Sequence, residues 1–413
     1  MQTPASGRTQ SRPAAPPLMS ELKVTLIGAL LIAIGPISMA LYTPALPELV
    51  RYFHTTDALV KMTVTLYFAG FAAAQLVCGP LSDGVGRRPV IVGFMLVYVL
   101  ACILILFSPT IETMLAARVL QGVGAAMGIA ISRAIVRDVF ADARSFRIMN
   151  LMGLFIAIAP AIAPAIGGLT LEVAHWRALF AMMALAGLGA IFVAVFSLKE
   201  TVQRDLSRIR PGALWASYKQ LLQTPYFMLA SLVIANAIGA VFALATMLPF
   251  VLMDQVGLSP TGFGFSQILQ AGMYVAGAMA VQTILPRYGA DRLVPVGLAL
   301  VLVACLGLMI LLPVWGTNFF SIMVPIAVYS FGIAFIMPAM LTNSLMPFPR
   351  IAGAASALTA FLQMAVGLLG SAVASLFQDP SLALLVVLPT MGFAAAVCWH
   401  FWRKQPVPTF HAA

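Results

Sequence analysis

The residues of this chain whose types and spacing suit chemistry are few, and they suit holding charge and bending helices rather than making bonds. The stretch GPLSDGVGRRP, Gly79 to Pro89, sets Asp83 against Arg87 and Arg88 within one short turn. Gly79 and Pro80 are expected to end a helix there, with Gly84 and Gly86 permitting the turn. Further on, RVLQGVG places Arg118 and Gln121 one helical turn apart inside an apolar run. A lone Arg at the centre of a membrane helix costs ~2.5 to 3.5 kcal/mol, so Arg118 should face protein and have a partner. In APAIAPAIGG, Pro160 and Pro164 each remove an intrahelical hydrogen bond, and Gly167 and Gly168 let a neighbouring helix come close. These groups are suited to ion pairing, charge recognition and bending.

Nothing supplies a catalytic constellation. HExxH, GxSxG and P-loop patterns are absent, and His54, His175, His400 and His411 lie at or beyond the ends of apolar runs. Cys78, Cys102, Cys305 and Cys398 are scattered singly. The chain reads as a non-enzyme without a metal site, disulfide or cofactor.

The elements that position these residues follow from composition. Of 413 residues, 62% are hydrophobic and only 9% charged, against a usual ~25% charged. A soluble fold lacks cover at that ratio, so most of the chain must face lipid. Twelve apolar runs are read between residues 24 and 402, and twelve helices of about 20 residues need ~240. Long unbroken runs argue against an outer-membrane barrel. The expected fold is therefore all-α, with a tail at 1–20, six helices in 21–198, a linker at 199–225, six helices in 226–402 and a tail at 403–413. The linker carries Trp215 and Tyr218 on an amphipathic stretch that is expected to lie in the membrane interface. A weak echo of Gly79–Pro89 in LPRYGADRL, residues 285–293, suggests that the halves are duplicates.

Charge then orients the chain. Arg51, Lys61 and Arg177 fall on one side, Arg118 lies inside a span, and the other 19 of 23 Lys and Arg fall on the side of the termini. Both termini are thus expected in the cytoplasm. The net charge of +10 is an orientation signal and calls for no nucleic-acid partner. The expected partners are the lipid bilayer and a small-molecule substrate, and the expected state is a monomer.

Gly79–Pro89 resembles the signature loop between spans 2 and 3 of the major facilitator superfamily. RVLQGVG resembles its R-x-x-Q-G-x-G motif, and Ala159–Gly168 is similar to its G-P-x-x-G-G antiporter signature, with Ala163 standing where that signature has Gly. Together with SMALYTPALPEL and LYFAGFAAAQLVCGP, these resemble the bicyclomycin/chloramphenicol-resistance (Bcr/CflA) drug-efflux branch. The resemblance implies a twelve-helix, two-bundle fold in the bacterial inner membrane. It also implies antibiotic resistance through proton-driven export of small amphipathic drugs by alternating access.

One departure bears on the driving force. Members of that branch carry an Asp one residue before the position of Leu41, and here the residue is Ala40. Three routes stay open: protonation of Glu48 or Glu112, uncoupled transport, or pairing of Arg118 with an anionic or zwitterionic substrate. A facilitator or importer of an anionic metabolite is accordingly the first competitor to an antiporter. A non-transporting sensor or scaffold is the second, and no extramembrane signalling domain supports it. The substrate is expected near the midplane between the halves, where Tyr42, Tyr67, Arg118, Gln121, Asn236, Gln270, Tyr274, Asn343 and Gln363 are candidates. An ion-pair latch of Asp83, Arg87, Arg88, Arg137 and Asp138 is expected at the inner face.

Overall fold

A computed structural model describes residues 18–140, 143–206 and 211–408. The expected tail at 1–20 lies outside the described residues as far as residue 17, as does the end of the expected tail at 403–413. Among the described residues, helices and turns account for all regular structure. That follows from the solvent. Lipid satisfies no backbone polar group, so each apolar run must bond within itself as a helix.

Fifteen α-helices are present among the described residues: α1 Glu21–Ala40, α2 Leu46–Tyr52, α3 Asp57–Val85, α4 Arg87–Leu106, α5 Ile111–Ala125, α6 Met127–Val139, α7 Ala143–Val173, α8 Arg177–Phe196, α9 Pro211–Leu222, α10 Pro225–Pro249, α11 Pro260–Tyr288, α12 Ala290–Trp315, α13 Phe319–Leu345, α14 Ala352–Ala374 and α15 Pro380–Trp402. Eleven helical stretches among the described residues are long and apolar enough to cross a membrane. α7 makes the twelfth crossing: it has 31 residues, and Ile158–Val173 is its apolar described part. Two crossings are composite, α1 with α2 and α5 with α6, and α9 is a separate linker helix. The face on which α1 begins and α15 ends is called here the basic face, and the opposite one the far face.

Five of the six crossings that start on the far face carry polar caps, α8 with Trp176 being the exception. Thr56, Thr110, Ser259, Asn318 and Asp379 each accept a backbone N–H in the first turn of α3, α5, α11, α13 and α15. Such a cap is worth about 1 kcal/mol. The expectation that Gly79 and Pro80 end a helix is corrected: α3 runs through both to Val85. A single residue, Gly86 at φ 113°, breaks the chain before α4, and Gly289 at φ 76° does the same between α11 and α12. Gly86 and Gly289 stand 203 residues apart, as do the caps Thr56 and Ser259.

Two hydrophobic cores result. One joins residues from Met19 to Leu198 and takes in Phe250 from the second half; the other joins Ala230 to Ala395. The halves meet through α3 against α14 and α7 against α11. A smaller cluster of Tyr218, Leu221, Phe227, Phe348, Ala355 and Leu358 docks α9 onto α10 and α14, and Leu76 of α3 packs against it.

Candidate functional site

Arg118 sits fully buried on α5 in a cage of its own half. Its Nε donates to Thr63 O at 3.2 Å and its Nη1 to Gln121 Oε1. The guanidinium lies 4.1 Å from the Tyr42 ring centroid, 4.5 Å from Tyr67 and 5.9 Å from Phe180. Desolvated cation–π contacts of this kind contribute about 2 kcal/mol each. They take the place of a carboxylate, for among the described residues none pairs with Arg118, and Nη2 has no hydrogen-bond partner. Tyr42 and Tyr67 are fixed in turn, by Thr63 Oγ1 at 3.0 Å and by donation to Gly35 O at 2.9 Å. Gln121 Nε2 meets Cys102 Sγ at 3.1 Å and Met183 Sδ at 3.3 Å.

The glycines of the same motif explain why α5 can press so closely. A Cβ on Gly122 would overlap Tyr67 O, and one on Gly124 would stand 2.5 Å from the Tyr98 nitrogen. Tyr42, Tyr67, Arg118 and Gln121 are therefore brought together, but as a sealed knot with no exposed surface.

The other five substrate candidates lie apart from this knot. Asn236 turns its amide back to Leu232 O of its own helix at 2.9 Å. Gln270 is buried on α11, and Tyr274 packs on the second core. Asn343 lies near the basic-face end of α13, and Gln363 is half-buried on α14, which closely approaches Gly239 of α10. The separation is physical, since all five belong to the second half.

Of the two carboxylates offered for protonation, Glu112 is exposed in the first turn of α5 and reaches no interior, which removes it as a buried proton site. Glu48, half-buried on α2, faces His175 Nε2 at 3.7 Å in the turn after α7. Lys61, expected as a far-side charge, lies one turn into the far-face end of α3 and is buried, with Nζ 4.9 Å from the ring centroid of Phe250 of the other half.

Around Gly86 the basic-face charges form a network. Arg87 pairs with Asp83 at 2.5 Å and with Asp138 at 3.0 Å, and donates to Ser82 Oγ at 2.6 Å. Arg88 reaches the carbonyl of Val195 at 2.6 Å. Arg137 takes no part, contrary to expectation, because it lies on a different side of α6 from Asp138 and has no bond among the described residues. Glu200 does take part. Its carboxylate accepts the backbone N–H groups of Arg87 and Arg88 at 2.9 and 3.1 Å, capping α4 from 112 residues away. Thr201 then donates to Asp138 at 2.8 Å, and Asp205 N–H to Gly84 O at 2.9 Å. Glu200 was missed because only its acidity among basic neighbours marks it in the sequence.

On the far face, α7 remains helical through Pro160 and Pro164. A Cβ on Gly167 would overlap Leu41 O, and one on Gly168 would overlap Pro260 O of the other half. Gly264 of α11 answers them, 2.5 Å from Ala165 Cα by the same measure. Thr261 closes the contact by donating to Glu172.

A sequence model described as Major Facilitator Superfamily matches residues 28–371. The chain belongs to the Major Facilitator Superfamily. It is a multi-pass membrane transporter and not an enzyme. Among superfamily relatives, Multidrug resistance protein D of Escherichia coli (strain K12) is 28% identical over 383 residues, covering 92% of this chain and 95% of its own. The chloramphenicol resistance protein of Pseudomonas aeruginosa is 27% identical, covering 78% and 77%. The bicyclomycin resistance protein homolog of Haemophilus influenzae (strain ATCC 51907 / DSM 11121 / KW20 / Rd) is 25% identical, covering 94% and 98%. These names agree with the resemblance to the drug-efflux branch. For the fold, an inward-facing, unoccupied bacterial homolog of the human lysosomal transporter Spinster superposes with a TM-score of 0.70 at 13% identity, over 92% of this chain and 96% of that one.

Proposed function

We propose that this transporter exports small amphipathic drugs from the cytoplasm across the bacterial inner membrane by alternating access, as a monomer with both termini inside. The observation that carries the reading is the far-face closure of α7 on α11, where glycines bring the backbones of the two halves together. α6 and α13 draw their packing from their own halves instead. With the basic face cytoplasmic, this is an inward-open state ready to load from the cell. The names of the relatives supply the drug class.

Proton antiport, implied by the family resemblance, runs in this reading through Glu48 and its neighbour His175, since Ala40 carries no acid and Glu112 is exposed. The test is chloramphenicol flux in proteoliposomes with and without an imposed proton gradient. Gradient-driven export that is lost in Glu48→Gln supports antiport. Flux indifferent to the gradient in the wild type, and made gradient-dependent by Ala40→Asp, replaces it with facilitated transport.

A further inference from the structure

α6 packs against α1, α3, α4 and α7, all of its own half. Gly128 faces the α1 backbone, and Ser132 donates to Gly28 O at 3.3 Å. The side left open carries Arg133 and Arg137, one helical turn apart, below the half-buried Ile129 and Ala130. In the inward-open reading proposed above, this side of α6, which the first half does not cover, borders the space between the halves. Arg133 and Arg137 are both exposed.

Neither arginine forms an ion pair or hydrogen bond among the described residues. Asp138, the residue after Arg137, is held by Arg87 and Thr201. Two like charges one turn apart repel, so the helix bears them at a cost that an anion between them would relieve. α13 is likewise enclosed by α10, α11, α12 and α14 of its own half. Its open stripe is Pro338, Thr342 and Met346, with no charge. The two open stripes thus differ: one cationic, one apolar with a hydroxyl.

From this placement we infer that Arg133, assisted by Arg137, is a specificity-determining residue that receives an anionic group of the cargo, so that the transporter favours anionic over cationic amphiphiles. The inference rests on the transport reading above and names its substrate class. An arginine fork bonds a carboxylate in two places, while the ring of the same molecule lies toward Met346.

The test uses the full-length protein in nanodiscs and equilibrium binding of three probes with one ring system: 1-naphthylacetate, 1-naphthylacetamide and 1-naphthylmethylammonium. Wild type is expected to bind the acetate about tenfold more tightly than the amide, and the ammonium most weakly. Arg133→Ala should remove about tenfold from the acetate and leave the amide within about twofold. Arg133→Lys should keep the order, and Arg133→Glu should invert it. Equal binding of acetate and amide by wild type overturns the inference. So does an anion preference that survives Arg133→Ala combined with Arg137→Ala, or failure of all three probes to bind. Chloramphenicol export, measured on the same preparations, separates the two ideas. If wild type exports none while the anion preference stands, the drug-export reading fails and this one does not.

Discussion

Gly86 and Gly289 do the same backbone work in the two halves, each breaking the chain for a single residue at positive φ. The surroundings differ completely. Around Gly86, Asp83, Arg87, Asp138 and Glu200 bind one another and the end of α4. A Cβ at Gly289 would meet nothing within 4 Å. The comparison teaches that, among the described residues, the helical scaffold repeats and the charge network does not. The first half carries its own latch, and the linker is tied to it through Glu200, Thr201 and Asp205. The second half holds only Asp254, Asp291 and Asp379 as acids between residues 226 and 402.

The strongest way to break the asymmetry is Arg87→Ala. Its side chain is 6% exposed, while Asp138 is 22% and Asp83 49% exposed, so the partners are left partly, not fully, desolvated. Breaking a fully buried pair costs ~3 to 5 kcal/mol; discounted for that exposure, a loss of about 2 kcal/mol is expected. Thermal unfolding in detergent reads it, together with chloramphenicol flux. An unchanged melting temperature and flux would remove the latch.

Next comes the direct pairing of the glycines. Gly86→Ala meets both an unfavourable φ of 113° and Glu200 Oε2, which would stand 2.8 Å from the new Cβ. Gly289→Ala meets only its φ of 76°. The second should cost about 1 kcal/mol and the first about twice that, since Glu200 must also release the α4 N–H groups it caps. Equal effects would mean that Glu200 yields freely. Glu200→Gln isolates this term and should cost about 1 kcal/mol by weakening a charge-assisted cap, seen as faster hydrogen exchange in the first turn of α4.

What was legible in the sequence and what was not divide along the same physical line. Twelve crossings, two halves and the motif-bearing loop follow from apolar run length and from Gly, Pro and charge, all of which act locally. The positions of Gly86 and Gly289 as sole breaks were not legible, because a Pro such as Pro80 or Pro286 is tolerated in a membrane helix whose neighbours and small adjustments satisfy the freed carbonyl. Arg118 could be placed inside a bundle, but its aromatic cage could not be foreseen, since Tyr42, Tyr67 and Phe180 come from three other elements. Lys61 and Glu200 act across 189 and 112 residues, on Phe250 and on Arg88 respectively, and no spacing rule connects such pairs.

The smallest expected effect tests where the linker changes allegiance. α9 packs on the second half, yet Tyr218 of α9 donates its hydroxyl to Leu76 O of α3 at 2.7 Å. Burial pushes this hydroxyl up from 10 to about 12. It therefore stays protonated and donating throughout the neutral range. Because the folded value is the higher one, its contribution is complete below pH 10 and is lost only as pH rises toward 12. Tyr218→Phe should accordingly cost at most about 1 kcal/mol, with a stability difference from wild type that is flat between about pH 6 and 9. A difference that changes within that window would mean that another titrating group shares the bond. A null effect on stability combined with faster chloramphenicol flux would show that the bridge restrains the second half instead of supporting it.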